Sequence, residues 1–346
     1  QTTIPFLMAL SGAPTVGRTT PIGSETVQQL KYATFKYQEF SYAVASENWG
    51  TLHNDMSVFG VFEQIQPQIS KYMKELRGQR IREALLMTHD SILTDVAAVG
   101  GAVETSAWNK NWFIPNTPIG SQPVYDSTVA DFTTNITDAL TAAGGAAGAD
   151  ATISLDYLRA LDYYATNYLR IDPIMLDGKK TYVFTLPATQ KYVLGKNEAG
   201  QLGDIYTGMV RSSDDEMRYT GVIGRVGSIL IVEDQRYPEL QGDGAGALTP
   251  AFLKPGDEDD RLKVPFVAGT ESWDVGMLLG KGAVAEWVVQ DLHFETEEQN
   301  YGRDRGTGAF CEAGISLVEY DIDTQADDTK ENFGSVVCPL ATPAIV

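Results

Sequence analysis

Apolar residues recur at helical spacing along one long stretch, about residues 59 to 99. Phe62, Ile65, Ile69, Met73 and Leu76 share a face, and so do Leu85, Ile92 and Val96 further on. Pro67 suits a helix only near its first turn, so the continuous helix is predicted to begin there and to stop at Gly100-Gly101. About thirty residues at 1.5 Å each make a rod of roughly 45 Å, the dimensions of a structural spine. A second helix is predicted from Ser154 to Arg170. Its stripe is Leu155, Leu158, Leu161, Ala165 and Leu169, and Pro173 blocks its continuation.

Strand patterns occupy much of the rest. In TVQQLKYATFKYQEFSYAVA (26 to 45), Leu30 and Tyr32 alternate with polar neighbours, then Phe35 and Tyr37, then Phe40, Tyr42 and Val44. The phase slips twice, as in a bulged or strongly twisted strand, and the segment reads as one leg of an extended hairpin. Tyr182 to Leu186 reads as a strand followed by a Pro-led helical segment. SILIVED (228 to 234) reads as a short strand buried on both faces. GVIGRVG (221 to 227) reads as turns. A strand rather than a helix follows it, so the phosphate-cradling helix N-terminus of a nucleotide loop is missing.

Residues 1 to 23 read as an irregular arm punctuated by Pro5, Gly12, Pro14, Gly17, Pro21 and Gly23. AAGGAAGAD (142 to 150) reads as a flexible link. Residues 241 to 261, rich in Gly, Pro and acid, read as a long loop. A helical run is predicted from Trp273 to Val284, then segments 287 to 302 and 309 to 323, then a polar tail. There is no internal repeat.

Composition narrows the function. The chain has 346 residues, 43% hydrophobic, with 26 Lys+Arg against 46 Asp+Glu, a formal net charge of −20. That surface repels duplex DNA at long range, which disfavours a sequence-specific DNA binder while leaving a container for DNA open. Cys311 and Cys338 are too few for a disulfide framework and read as two reduced thiols. No run of eighteen apolar residues occurs, so no membrane-spanning helix is expected. The mildly apolar start, Gln1 to Leu10, lacks the basic segment of a secretory leader, and Gln at position 1 suggests a trimmed or processed terminus.

The search for catalytic chemistry is thin. His53, His89 and His293 sit in no metal-ligand pattern, and no nucleophile elbow or phosphate loop is present. Asp257, Glu258, Asp259 and Asp260 lack the alternating spacing of a calcium loop and read as a solvated surface. No cofactor and no metal are expected. One anomaly stands out: Lys71, Lys74, Arg77, Arg80 and Arg82 lie within twelve residues of the long helix. They read either as a solvated face partly neutralised by Glu75 and Glu83, or as a ridge that meets acidic loops of adjacent copies. Contact with packaged DNA is a weaker third reading.

Taken in order, these segments resemble the major capsid proteins of tailed bacteriophages, the HK-97-type fold that encapsulins share. IPFLMAL and LKYATFKYQEFSYAV look like that family's N-terminal arm and extended hairpin loop. LRGQRIREALLMTHDSILTDVA looks like its spine helix, and DYLRALDYYATNYLR with KTYVFTLPATQKYVL looks like its axial domain. GMLLGKGAVAEWV with HFETEEQNYGRDRGTGAFCEAGISLVEYD is similar to the sub-group found in short-tailed phages that carry a virion RNA polymerase, and in their relatives. The departure is the segment 241 to 263.

The resemblance implies an α+β subunit in six parts. These are an N-terminal arm (1–23), an extended hairpin loop (24–58), and a peripheral domain with spine helix (59–150). An axial domain (151–286) with an insertion at 241–263, return strands (287–323) and a C-terminal tail (324–346) complete it. It implies a non-enzymatic, self-assembling subunit of a virion, made in a bacterial cytoplasm. Identical subunits would form hexamers and pentamers, with portal, scaffold and decoration proteins as partners, no membrane, and packaged DNA touched non-specifically on the inner face. Phe35, Tyr37, Phe40 and Tyr42, with the five basic residues of the ridge, are the expected contacts between subunits. An encapsulin-like compartment and an acidic soluble enzyme are the alternatives.

Overall fold

Apolar runs from the second half of the chain become the strands of one eight-stranded sheet, with helices on its faces. A computed structural model describes residues 2–7, 30–35, 38–46, 61–86, 109, 111–114, 153–176, 178–197, 222–235, 237, 239–242, 248–251, 272–299, 304–318, 320–321, 330–332 and 334–341. In chain order come β1 (Thr2–Leu7), β2 (Leu30–Phe35), β3 (Gln38–Ser46) and helix α1 (Val61–Leu86). Helix α2 (Leu155–Tyr163) runs into a π-helical turn, Tyr164–Tyr168. Then follow β4 (Ile174–Leu176), β5 (Lys179–Pro187), helix α3 (Ala188–Asn197), β6 (Val222–Val226) and β7 (Ile229–Asp234). The remaining described elements are strands: β8 (Glu239–Gly242), β9 (Leu248–Ala251), β10 (Ser272–Leu279), β11 (Val284–Gln299) and β12 (Asp304–Leu317), then β13 (Tyr320–Asp321), β14 (Lys330–Glu331) and β15 (Ser335–Ala341).

β10 is the centre of the large sheet. Along one edge it pairs antiparallel with β15, from Trp273↔Ala341 to Leu279↔Ser335. Its other edge is shared between β8, at Ser272–Asp274, and β5, at Met277–Leu279. This corrects the helical run predicted over Trp273–Val284. Both faces of the strand are covered, so its apolar residues form a continuous run that fits either period. Gly276 decides how closely β5 approaches: a Cβ there would lie 2.8 Å from the Phe184 ring.

β15 is the second correction. The polar tail expected from residue 324 onward contains a seven-residue strand that is buried at every position. Its alternate side chains enter two cores on opposite faces of the sheet. Val336, Cys338 and Leu340 join Leu158, Leu161, Tyr182 and Phe184. Val337 and Ala341 join Leu86, Trp112, Trp273 and Met277.

The predicted stripe of α2 is borne out. Leu158, Leu161 and Ala165 are buried, while Leu155 and Leu169 pack against their cluster. Ser154 caps the helix, its Oγ accepting from the Tyr157 N–H at 3.1 Å. The last turn is wider than expected: the Leu169 N–H donates to the Tyr164 carbonyl, five residues back, at 3.0 Å. Arg170, at φ 52°, then reverses the chain ahead of Pro173.

GVIGRVG is strand over Val222–Val226, paired with β7, and turns only afterwards. β7 lies between β6 and the parallel β5, and Ile229, Leu230 and Ile231 are buried as predicted. The expected loop at 241–261 contains a paired hairpin, with Gln241↔Thr249 and Gly242↔Leu248 joining β8 to β9. The acidic cluster 257–260 and the link 142–150 lie outside the described residues.

Helix α1 begins six residues before Pro67, at Val61, rather than at the proline. Pro67 is the seventh residue, past the first four N–H groups that lack partners, so it removes one interior bond, to the carbonyl of Glu63, and the helix carries that cost. Its 26 residues span about 39 Å. The predicted stop at Gly100-Gly101 lies outside the described residues. At its described end a buried polar knot ties helix, sheet and tail together. Asn109 donates from Nδ2 to the Leu85 carbonyl (2.7 Å) and to Ser335 Oγ (2.9 Å), and its backbone N–H donates to the Leu86 carbonyl (2.9 Å). Asn332 Nδ2 also donates to Ser335 Oγ, at 2.6 Å.

The second sheet has the order β11-β12-β3. β12 pairs with β3 from Arg305↔Ser46 to Ala313↔Gln38. The leg expected over 26–45 is therefore two strands, Leu30–Phe35 and Gln38–Ser46. The second finds a partner within its own chain. The first pairs with β1, so residues 2–7 of the expected arm are strand as well, and its Pro5 sits in a two-stranded ribbon where few ladder bonds are lost. β13 and β14 form a short separate ribbon.

Two outcomes follow for stability. Leu340→Ala is expected to cost about 3 kcal/mol in denaturant unfolding, against under about 0.5 kcal/mol for the exposed Val289→Ala. Burial pushes the Cys338 thiol from 9.0 up to about 12. The folded form keeps its proton where the unfolded chain loses it, so this thiol's stabilisation is complete below pH 9.0 and declines as pH rises toward about 12. Unfolding midpoints measured across that window are expected to fall less steeply in Cys338→Ala.

Candidate assembly surface

Helix α1 lies across the three-stranded sheet, where Ile69 and Met73 pack on Ala309 with Val44, Tyr72 and Leu292 beside them. Its basic residues fall into three groups. Arg82 reaches β7 of the large sheet and grips Asp234 with two parallel bonds, Nη2 to Oδ1 at 2.6 Å and Nε to Oδ2 at 2.7 Å. Arg77 reaches β11 and pairs with Glu286, whose hydrogen bond raises the guanidinium pKa. The helix is thus pinned to both sheets. Arg80 pairs with Glu83 one turn on, at 3.0 Å. Lys71 sits 4.0 Å from Glu75 with three-quarters of its side chain in solvent, and Lys74 is exposed.

The ridge thus contains two structural arginines, a local pair, and two lysines at the surface. The partners of Arg77 and Arg82 lie 209 and 152 residues away, too far for local pattern to find. Glu75 and Glu83, at helical spacing, were visible.

Of the aromatic candidates, Tyr42 on β3 is half-exposed and its ring centroid lies 4.3 Å from that of Tyr72 on α1. Phe35 ends β2, opposite Thr2, and Phe40 lies opposite Cys311 on β12. Tyr37 lies outside the described residues. Cys311 and Cys338 are free thiols. Among the described residues no cluster of three or more metal-ligating side chains occurs, and no helix is long and apolar enough to cross a membrane.

Sequence reasoning missed two surfaces. Trp287, Val288 and Val289 on β11 are 46%, 42% and 48% exposed, next to the point where the β11–β12 register shifts. An apolar doublet at a bulge was the available signal. The second is the end of the large sheet where β4 turns into β5. Met175 is 59% exposed there, beside Lys179 and Lys180. Asp177-Gly178, a two-residue hairpin signature with Gly178 at φ 76°, marked it.

No family model matches the sequence, and no curated protein does. Solved structures do. The capsid of Ralstonia phage GP4 is 14% identical and matches with a TM-score of 0.65, covering 100% of this chain and 84% of that one. The head of Helicobacter pylori bacteriophage KHP40 is 14% identical, with a TM-score of 0.62 over 99% of this chain and 84% of that one. Cyanophage Pam1 capsid is 15% identical, with a TM-score of 0.59 over 99% and 85%. The fold is the HK-97-type capsid fold. The α+β class expected from the sequence holds.

The two arginine anchors generate a measurable contrast. A double-mutant cycle on Arg82→Ala and Asp234→Ala is expected to give a coupling of about 1–3 kcal/mol in unfolding experiments, since the pair is mostly shielded and bidentate. The same cycle on Lys71 and Glu75 is expected to give about 0.3–0.5 kcal/mol and to vanish at high salt.

Proposed function

We propose that this chain is a major capsid protein, the repeating subunit of an icosahedral phage head that encloses double-stranded DNA. The observation that carries the reading is the end-to-end match of the fold to capsid subunits, over 100% of the chain for the Ralstonia phage GP4 capsid. Charge agrees with it: a wall of net charge −20 leaves its cargo mobile. The role is structural, and the partners are identical copies arranged as hexamers and pentamers. Portal, scaffold and decoration proteins, and DNA met non-specifically on the inner face, complete the set. Among the described side chains of the expected contact set, Lys71, Lys74, Arg77 and Tyr42 are exposed; Arg77 is held by Glu286, and Lys71, Lys74 and Tyr42 serve between copies. The GMLLGKGAVAEWV and HFETEEQNYG motifs support a place among short-tailed phages that carry a virion RNA polymerase.

The test is direct. The purified chain, alone or co-expressed with its neighbouring virion genes, is expected to give closed particles of uniform diameter by negative-stain microscopy and a matching fast species in sedimentation velocity. A discrete monomer under every concentration and salt condition rejects the proposal. Uniform particles that enclose a protein cargo and no DNA replace the phage head with a cellular compartment.

A further inference from the structure

Two surfaces of opposite charge lie at opposite ends of β11. At its start, contacts gather cations from separate segments. The Lys281 N–H donates to the Asp172 carbonyl at 2.7 Å, and Arg170 is two residues before that carbonyl. The Tyr182 hydroxyl donates to the neighbouring Ile171 carbonyl at 2.9 Å, which brings in Lys179 and Lys180 just ahead of it on β5. Arg225 reaches the Lys180 carbonyl at 3.4 Å. The acids that the sequence places among these five cations are Asp162, Asp172 and Asp177, and Asp162 is engaged by the Ser228 hydroxyl. Met175 and Leu176, 59% and 38% exposed, stand on the same hairpin.

The far end of β11 is acidic. Glu295 and Glu297 are exposed on one face of the strand, and His293 lies 3.9 Å from Glu295. Their neighbours across the sheet are glycine and then alanine: Glu295, Gly308, Ala43 in one row and Glu297, Gly306, Ala45 in the next. The glycines leave room for the Phe310 ring, which lies 2.8 Å from where a Gly308 Cβ would stand, so the lane between the carboxylates is floored by an aromatic ring. Phe294, 36% exposed, supplies an apolar neighbour on the opposite side of the strand.

The two surfaces cannot neutralise each other within one subunit. From Val284 to Glu295 an extended strand covers roughly 35–40 Å at about 3.3 Å per residue. Charges that far apart are several Debye lengths from each other at physiological salt.

We infer that the basic hairpin end around Lys179 and Lys180 docks on the acidic lane at Glu295 and Glu297 of a second copy of this chain, in a head-to-tail contact. The inference rests on the proposed shell function and specifies one of its contacts. A heterologous contact of this kind joins two different patches and closes into rings when the rotation permits, which is what a capsomer needs. Exposed Met175 and Leu176, paired across the hairpin with Lys180 and Lys179, favour a protein partner over a polyanion, because phosphate binding has no use for apolar knobs.

The experiment uses the full chain and three variants: Lys179→Glu with Lys180→Glu, Glu295→Lys with Glu297→Lys, and all four together. All eight side-chain changes across these variants are at exposed positions, and circular dichroism with thermal melting checks that each variant folds. The readout is the protein concentration at which oligomers and shells form in sedimentation velocity. Each double reversal is expected to raise that concentration about ten-fold, and the fourfold variant to return to within about three-fold of the unchanged protein. A fourfold variant as poor as the two reversals summed overturns the inference. So do reversals that leave assembly untouched while shells still form, an outcome that keeps the shell function. An unchanged chain that never self-associates rejects the shell function and this contact together. Loss of duplex DNA retention in the lysine reversal, with assembly intact, reassigns the patch to nucleic acid and overturns the inference.

Discussion

The fold depends on the pairing of β10 with β15. Seven consecutive register pairs bring the last described residues of the chain into the middle of the large sheet. Because strand side chains alternate, that one strand contributes to both hydrophobic clusters, with Val336, Cys338 and Leu340 on one side and Val337 and Ala341 on the other. Neither cluster is closed until the C-terminal segment arrives. The polar knot makes the same demand from another direction. Ser335, the first residue of β15, receives Asn109 and Asn332, and Asn109 satisfies the last described carbonyls of the spine helix. Helix, sheet and tail are therefore one cooperative unit, held by contacts 223 to 226 residues apart in sequence.

This explains which parts of the fold were legible in the sequence. Elements with one covered face announced themselves: the stripe of α2 and the apolar spacing of α1 follow from a helix lying on something. Elements with two covered faces did not. Trp273–Leu279 reads as apolar in any period, and only its neighbours β5, β8 and β15 make it a strand. The tail failed for a related reason: Asp327, Asp328, Lys330 and Glu331 cluster at its start and lend a polar reading to the buried run that follows them. At the surface, the basic cluster on α1 was visible as a count of charges. Its division into anchors and surface lysines was not, because Glu286 and Asp234 are brought to Arg77 and Arg82 by the fold alone.

Spending two arginines on holding α1 has a consequence for the rest of the surface. Arg77 and Arg82 tie the same helix to the three-stranded sheet and to the large sheet, so the relative placement of the two sheets is set by a rod about 39 Å long. A rigid rod carries a displacement at one end to the other with little loss. Patches at the two ends of β11 then keep a fixed separation and orientation, which is what lets a repeated contact close at a defined curvature instead of wandering.

Rigid placement also lets the contacts themselves be weak. Exposed ion pairs contribute about 0–1 kcal/mol each, and an exposed tyrosine or tryptophan adds a modest increment. A subunit gripping its neighbours at several such places gains through multiplicity, since each contact after the first is made at high effective concentration. A shell built this way can release a misplaced subunit before the ring closes, yet hold once closure engages every contact at once. A large, strongly apolar interface would lose that property, because the first wrong encounter would not reverse. The modest exposure of Trp287, Val288 and Val289, set beside a sheet edge rich in carboxylates, places this surface on the reversible side of that division.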